Sequence, residues 1–153
     1  MDYLLPFITF APLVGALLIL FVPKDDERTI KNLAVGISAV PLLLAIYLWF
    51  AYDKAASGFQ FEVLAEWIPD INVNFHMAAD GLSIPLIFLT ALLTTLSMLY
   101  SSFAITKRVT EFFFLFFLLQ MGMFGVFVSL DLVLFYVFWE IGLVPMYLLI
   151  GIW

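Results

Sequence analysis

Cysteine is absent from these 153 residues, histidine occurs once, and twelve Asp and Glu outnumber six Lys and Arg. Without thiols there is no disulfide, thiolate nucleophile, zinc–sulfur site or iron–sulfur ligation. A lone His76 cannot supply the paired imidazoles of a membrane cytochrome haem. The formal net charge of −6 excludes nucleic-acid binding through a basic face. Charged residues make up only 12% of the chain and hydrophobic residues 65%. Soluble domains run at about 25% and about 45–50%, so polar surface is too scarce here to clothe a water-soluble globule. A conventional soluble enzyme is excluded.

What the chain has instead is long apolar runs. A helix crosses a hydrocarbon core of roughly 30 Å with about 20 apolar residues. Five segments meet that length, at about 4–22, 33–52, 82–105, 112–130 and 132–153; only the fifth carries a charge, Glu140. None shows the alternation of a barrel strand, and in lipid the backbone must satisfy its own polar groups. The expected fold is an all-α polytopic membrane protein with five transmembrane helices in a single membrane domain, 1–153. The N-terminal Met1-Asp2-Tyr3 has no basic residue and no small-x-small site follows the first run, so that run reads as an uncleaved helix and not a signal peptide.

Basic residues in short loops set the orientation. Lys24, Arg28 and Lys31 occupy the first loop and Lys107 and Arg108 the third, while the opposite side holds only Lys54. The first and third loops are therefore expected to be cytoplasmic and the N-terminus extracytoplasmic. The outer loop 53–79 contains two alternating stretches, Phe59–Val63 and Ile71–Met77, with Trp67-Ile68-Pro69-Asp70 between them. That pattern predicts a short extracytoplasmic β-hairpin. Asp80 is a candidate N-cap for the third span, with Pro85 in its first turns. Only Ser129-Leu130-Asp131 joins spans four and five, which predicts a tight antiparallel helix pair. Asp131 reads as a solvated turn residue or the N-cap of span five. Gly122 and Gly125 either permit close backbone approach or reflect the ordinary glycine content of membrane helices. Phe112–Phe114, Phe116 and Phe117 read as packing or lipid-facing surface and not as a cofactor box. There is no internal repeat, low-complexity segment or soluble domain.

Glu140 is where chemistry is expected. It lies eight residues after Leu132, roughly 12 Å into the span at 1.5 Å per residue, close to the bilayer midplane. A charged side chain there costs about 2.5–3.5 kcal/mol on insertion scales, so such a residue marks a wet cavity, a cationic partner or a proton relay. Burial disfavours the charged form and a nearby cation favours it; a carboxylate held between the two loads and releases a proton as its partner moves. Tyr136 at i−4 and Tyr147 at i+7 share its stripe, with Leu143 and Val144 between, and Gly142 and Pro145 provide a place for a kink. The bland alternative is a neutral Glu140 acting as interhelical glue. Weaker candidates are His76, read as a surface residue, Lys107 and Arg108 as topology anchors, and Trp49, Tyr52 and Tyr100 as interfacial aromatics. Thr90, Thr94, Thr95 and Ser97 either line a polar path or bond their own backbone.

The run from Asp131 to Trp153, with Phe138-Trp139-Glu140 and Pro145-Met146-Tyr147 within it, resembles the fifth transmembrane helix of the antiporter-like subunit M of bacterial NADH:quinone oxidoreductase (complex I), whose mitochondrial counterpart is subunit 4. Asp80-Gly81-Leu82-Ser83-Ile84-Pro85, followed by Leu89-Thr90 and Leu93-Thr94, is similar to a second signature of that family. The resemblance extends over essentially the whole chain.

It implies a proton-translocating membrane subunit that holds no cofactor itself, the NADH, FMN, iron–sulfur clusters and quinone belonging to partner subunits. Its implied partners are the other membrane subunits, above all neighbouring antiporter-like ones, together with the lipid bilayer. The implied location is the bacterial inner (plasma) membrane. In the family, the glutamate matching Glu140 pairs with a lysine on the seventh of about fourteen helices, which include two inverted repeats. The present chain is then expected to be the N-terminal part, a fragment or truncated product, ending on Gly151-Ile152-Trp153 without a polar stop. Glu140, Tyr136 and Tyr147 are the expected proton-translocation residues, with no catalytic, cofactor or metal residue in this chain. Two other readings stand beside this one: a subunit of a multi-subunit Na⁺/H⁺ antiporter or membrane-bound hydrogenase, and a structural membrane scaffold.

Overall fold

Helices form where the apolar runs lie: α1 (Leu4–Leu20), α2 (Glu27–Ala51), α3 (Ser83–Ala104), α4 (Val109–Val128) and α5 (Leu132–Ile152). The computed structural model describes residues 3–56 and 58–153; Met1 and Asp2, on which part of the N-terminal reading fell, lie outside the described residues. α2 to α5 are each long and apolar enough to cross a membrane, whereas α1 has 17 residues, about 25 Å at 1.5 Å per residue. The chain is a multi-pass membrane protein.

Helix ends follow capping chemistry more closely than hydropathy. α2 starts six residues before the expected 33, because the Asp26 carboxylate accepts from the Thr29 amide at 3.1 Å. Glu27 in the first turn suits the positive end of the helix dipole and pairs with Lys31 at 3.9 Å. A polar turn thus precedes the apolar part. α1 stops two residues short of the expected 22, in a tightened turn where the Val22 amide donates to the Ile19 carbonyl. α4 begins at Val109 instead of 112, directly after Arg108 in the left-handed region at φ 50°. It ends at Val128 instead of 130, because Leu130 leaves the helix to bond the hairpin.

The hairpin forms as expected, with one correction. Strands β1 (Gln60–Ile68) and β2 (Val73–Ala79) pair antiparallel, Leu64 opposite His76 and Glu66 opposite Asn74. Trp67 and Ile68 belong to β1 and not to the connection. The reversal is made by Pro69–Ile71 as a single 3₁₀ turn and by Asn72 at φ 53°, an αL position that asparagine tolerates.

Side-chain and backbone bonds identify the two ends of the bundle. At one end the Leu130 amide donates to the His76 carbonyl at 2.9 Å, and the Asn74 amide donates to Asp131 at 3.0 Å. The hairpin and the α4–α5 turn are therefore clamped together. At the other end Lys24, in the α1–α2 loop, lies 3.9 Å from Glu111 at the start of α4. The two basic loops share an end, as the charge distribution requires.

α4 is the hub: it touches each of the other four helices. Its phenylalanines are core, with Phe113, Phe117 and Phe124 fully buried. Packing forms two apolar clusters. One lies toward the hairpin and includes Leu5, Ile8, Met77, Ile87, Phe124 and Phe138. The other lies toward the basic loops and includes Ala16, Ile30, Met98, Phe113 and Phe117. Gly122 and Gly125 do serve close approach. A Cβ on Gly122 would stand 2.9 Å from the Gly142 nitrogen, and one on Gly125 would strike the Phe138 ring.

Candidate functional site on the fifth helix

α5 begins where the Asp131 carboxylate accepts from the amides of Val133 at 2.8 Å and Leu134 at 3.2 Å. The same residue also takes the Asn74 amide from β2. These bonds, that from Asn74 foremost, hold its carboxyl below the usual carboxylate range. The cap thus fixes the helix against the hairpin and sets the rotation of everything that follows.

That rotation decides where Glu140 points. Only Leu134, Phe138 and Pro145 of α5 are buried, and they recur at i, i+4 and i+11, one side of a 3.6-residue helix. Tyr136, Glu140, Leu143 and Tyr147 fall on the opposite side and are all exposed. Tyr136 retains 58% and Tyr147 77% of its surface. The close glycine contact with α4 is made by one face of α5, and the carboxylate stands on the other, on the outer flank of the bundle.

The expected stripe exists, with unequal members. Tyr136 stands one turn before Glu140 on the same exposed face of α5, the nearer of the two phenols to the carboxylate. Tyr147 lies about 10.5 Å further along the axis at 1.5 Å per residue, beyond direct reach of the carboxylate. Among the described residues no Lys or Arg forms an ion pair with Glu140; the Lys and Arg ion pairs join Lys24 and Arg108 to Glu111 and Lys31 to Glu27. The exposed flank of α5 thus carries one carboxylate near mid-helix, a phenol one turn before it and a second phenol two turns beyond. No group of three or more His, Asp or Glu able to hold a metal occurs among the described residues.

The other candidates separate clearly. His76 sits on the hairpin, its Nε2 2.6 Å from Glu62 Oε1, a surface pair on neighbouring strands. Asp80 caps α3 as expected: its Oδ1 accepts from the Ser83 amide at 2.7 Å and the Leu82 amide at 3.1 Å. The Ser83 amide and hydroxyl hold its carboxyl below the ordinary range. Of the four expected hydroxyls of α3, two bond backbone, Thr94 to the Thr90 carbonyl and Thr95 across to the Ser38 carbonyl. Sequence reasoning passed over Gln120, fully buried at the middle of α4, whose Nε2 donates to Thr94 Oγ1 at 2.7 Å. A single amide in an uncharged apolar run was the available signal.

Comparison with known proteins was made by sequence and by fold. No family model matches the chain. It is 39% identical over 147 residues to NAD(P)H-quinone oxidoreductase chain 4 2 of Trichodesmium erythraeum, covering 95% of this chain and 26% of that protein. It is 34% identical over 142 residues to NADH-ubiquinone oxidoreductase chain 4 of Marchantia polymorpha, covering 93% of this chain and 29% of that one. The chain therefore spans between a quarter and a third of the length of these relatives. Its fold matches a chain of respiratory complex I from Thermus thermophilus with bound NADH, with TM-score 0.78 and 26% identity, over 94% of this chain and 28% of that one. The membrane-bound sulfane sulfur reductase, an archaeal respiratory membrane complex, has a chain of the same fold at TM-score 0.78 and 21% identity, over 98% of this chain and 23% of that one.

Proposed function

Since the chain belongs to the NAD(P)H-quinone oxidoreductase chain 4 family, we propose that it works as part of a proton-translocating membrane subunit of a respiratory NADH:quinone oxidoreductase. Electron transfer takes place in other subunits, which hold the NADH, FMN, iron–sulfur and quinone sites. This chain contributes Glu140, assisted by Tyr136 and Tyr147, as a group that takes up and passes on a proton. The carrying observation is the placement of Glu140: mid-helix, one turn from Tyr136 on the same exposed face, and facing away from the chain's own core.

The face that bears Glu140 is completed by a neighbouring polar helix in the assembled complex. The other membrane subunits, including antiporter-like ones, are its partners. The bacterial inner membrane is the proposed location, with the hairpin and N-terminus on the extracytoplasmic side, supported by the five basic residues gathered at the opposite end.

Glu140→Gln tests this reading. In membrane vesicles holding the assembled complex, the variant should retain the complex on a native gel and lose most NADH-driven proton uptake. Full pumping in an assembled Glu140→Gln complex would overturn the relay role and leave Glu140 as interhelical glue. The fold is shared with a chain of the sulfane sulfur reductase complex, and the second reading is a subunit of another respiratory membrane complex. Migration in a large band without NADH dehydrogenase activity would support it.

A further inference from the structure

At the end of the bundle that carries the basic loops, a groove opens between α2 and α3. Arg28, Lys31, Asn32 and Val35 fall at i, i+3, i+4 and i+7, one stripe of α2. Leu99, Ser102 and Phe103 form the facing stripe on α3, and the two stripes line a cleft of about 550 Å³. That lies within the roughly 300–1,000 Å³ of small-ligand clefts. The helices are set level where the Thr95 hydroxyl donates to the Ser38 carbonyl at 2.9 Å. Lys31 and Ser102 each stand seven residues from that bond, about 10.5 Å toward the basic loops. Arg28, Lys31 and Asn32 precede the uncharged run that begins at Leu33, and Val35 lies inside it. The groove is therefore polar at its mouth and apolar below, at the level where headgroups give way to acyl chains.

Its charges do not cancel. Lys31 retains only 19% of its side-chain surface, and its ammonium stands 3.9 Å from Glu27, the one carboxylate that lines the groove. Asp26 feels the Arg28 charge but is engaged by the Thr29 amide as the cap of α2. Arg28 forms no ion pair among the described residues. Two cations against one carboxylate leave a single positive charge for an occupant. A guanidinium presents a planar fork of donors that matches phosphate oxygens. The Ser102 hydroxyl donates to the Leu99 carbonyl at 2.7 Å, which leaves its lone pairs to accept; the exposed Asn32 amide can donate and accept. Val35, Leu99 and the exposed Phe103 supply the apolar wall.

We propose that this groove binds a monoanionic phospholipid with a hydroxylated headgroup, of the phosphatidylglycerol class. Its phosphodiester meets Arg28 with support from Lys31, its headgroup hydroxyls meet Asn32 and Ser102, and its acyl chain follows Val35, Leu99 and Phe103. Basic pockets between transmembrane helices are a known means of holding anionic headgroups. One phosphodiester matches the one uncompensated charge, whereas an ethanolamine or choline headgroup would bring a further cation to a groove already in surplus. The apolar wall continues into the uncharged runs of both helices, which suits a bilayer lipid and not a soluble anion. The site is independent of Glu140, which α5 carries elsewhere in the bundle.

Native mass spectrometry of the full chain in detergent, with equal amounts of phosphatidylglycerol and phosphatidylethanolamine added, tests the proposal. The wild type should retain one phosphatidylglycerol in preference to phosphatidylethanolamine. Arg28→Gln should weaken that retention about fivefold, the effect of one basic residue at an anionic membrane surface. Lys54→Gln, at the opposite end of the bundle, should leave it unchanged. Ser102→Leu fills the groove without touching its charges; it should lower retention too and decides the matter if Arg28→Gln fails to fold. Equal retention of the two lipids, or retention unaffected by Arg28→Gln and Ser102→Leu in folded protein, would overturn the proposal. Displacement of the lipid by inorganic phosphate alone would overturn it in favour of a small-anion site. An Arg28-dependent dimer would overturn it in favour of a second copy seated in the groove.

Discussion

Gly125 of α4 lies directly against the ring of Phe138 on α5, so closely that a Cβ at position 125 would strike the ring carbons. One turn away, a Cβ on Gly122 would stand 2.9 Å from the Gly142 nitrogen and 3.0 Å from the Phe138 carbonyl oxygen. Membrane helices gain little from hydrophobicity when they associate, because lipid is as apolar as they are; close packing of small residues supplies the attraction. This contact holds the Glu140 helix to the bundle.

Enlarging Gly125 should therefore displace α5. Gly125→Leu cannot be absorbed by a flexible side-chain end, and overpacking of this kind costs about 1–3 kcal/mol. Thermal unfolding in detergent should shift downward, and a disulfide engineered across α4 and α5 should form less readily. Gly151→Leu, where nothing lies within 4 Å of the added Cβ, is the matched control and should leave both readouts near wild type.

The hairpin end should loosen in acid. Asp80 and Asp131 both have carboxyls held below the ordinary carboxylate range, Asp80 chiefly by the Ser83 amide and Asp131 chiefly by the Asn74 amide. A depressed folded value means that the stabilisation is fully present above the ordinary carboxylate range and is lost as pH falls through the depressed values. Protection of the Asn74 and Ser83 amides, measured against their intrinsic exchange rate at each pH, should fall below about pH 4. Asp131→Asn should remove most of that acid response at Asn74 while leaving Ser83 protected.

The absence of cysteine makes orientation directly measurable. Lys107→Cys and Ala55→Cys place single thiols at opposite ends of the bundle. In intact bacterial cells a membrane-impermeant maleimide should label the variant at position 55 and spare the one at 107. Inverted vesicles should give the reverse. The opposite labelling pattern would reverse the orientation.

Trp153 anchors the far end of α5. Its indole N–H donates to the Lys107 carbonyl at 2.8 Å, its ring packs edge-on to Phe112 at 5.5 Å, and the Arg108 guanidinium lies 5.8 Å above it. Trp153→Ala should lower stability by about 1–3 kcal/mol, the sum of one net hydrogen bond and one aromatic pair. Trp153→Phe should recover the aromatic part alone. Denaturant titration followed by helical circular dichroism reads both.

Much of the fold was legible in advance because lipid imposes a strict rule on sequence: apolar runs of span length must be helices. Five runs, the hairpin alternation and the grouping of basic residues all survive in the structure. Boundaries were less legible, since Asp26 and Arg108 act through cap and backbone geometry that hydropathy does not register. Trp67 and Ile68 were assigned to the connection because Pro69-Asp70 follows them, yet the turn needs only Pro69 to Asn72. Gln120 was missed because one polar residue barely alters the hydropathy of a long apolar run.

The sequence by itself determined that this is a polytopic helical membrane protein with one carboxylate midway along its fifth helix, because the cost of charge in hydrocarbon makes such a residue conspicuous. It also determined that Tyr136 and Glu140 share a face, since helical periodicity permits nothing else. Tertiary structure decided which way that face turns. The fit of Gly122 and Gly125 against Phe138 and Gly142 uses one side of α5, and the Asp131 cap locks the rotation to the hairpin. Together they direct Glu140 away from the chain's own core, a choice set by packing between helices that no single-helix periodicity encodes.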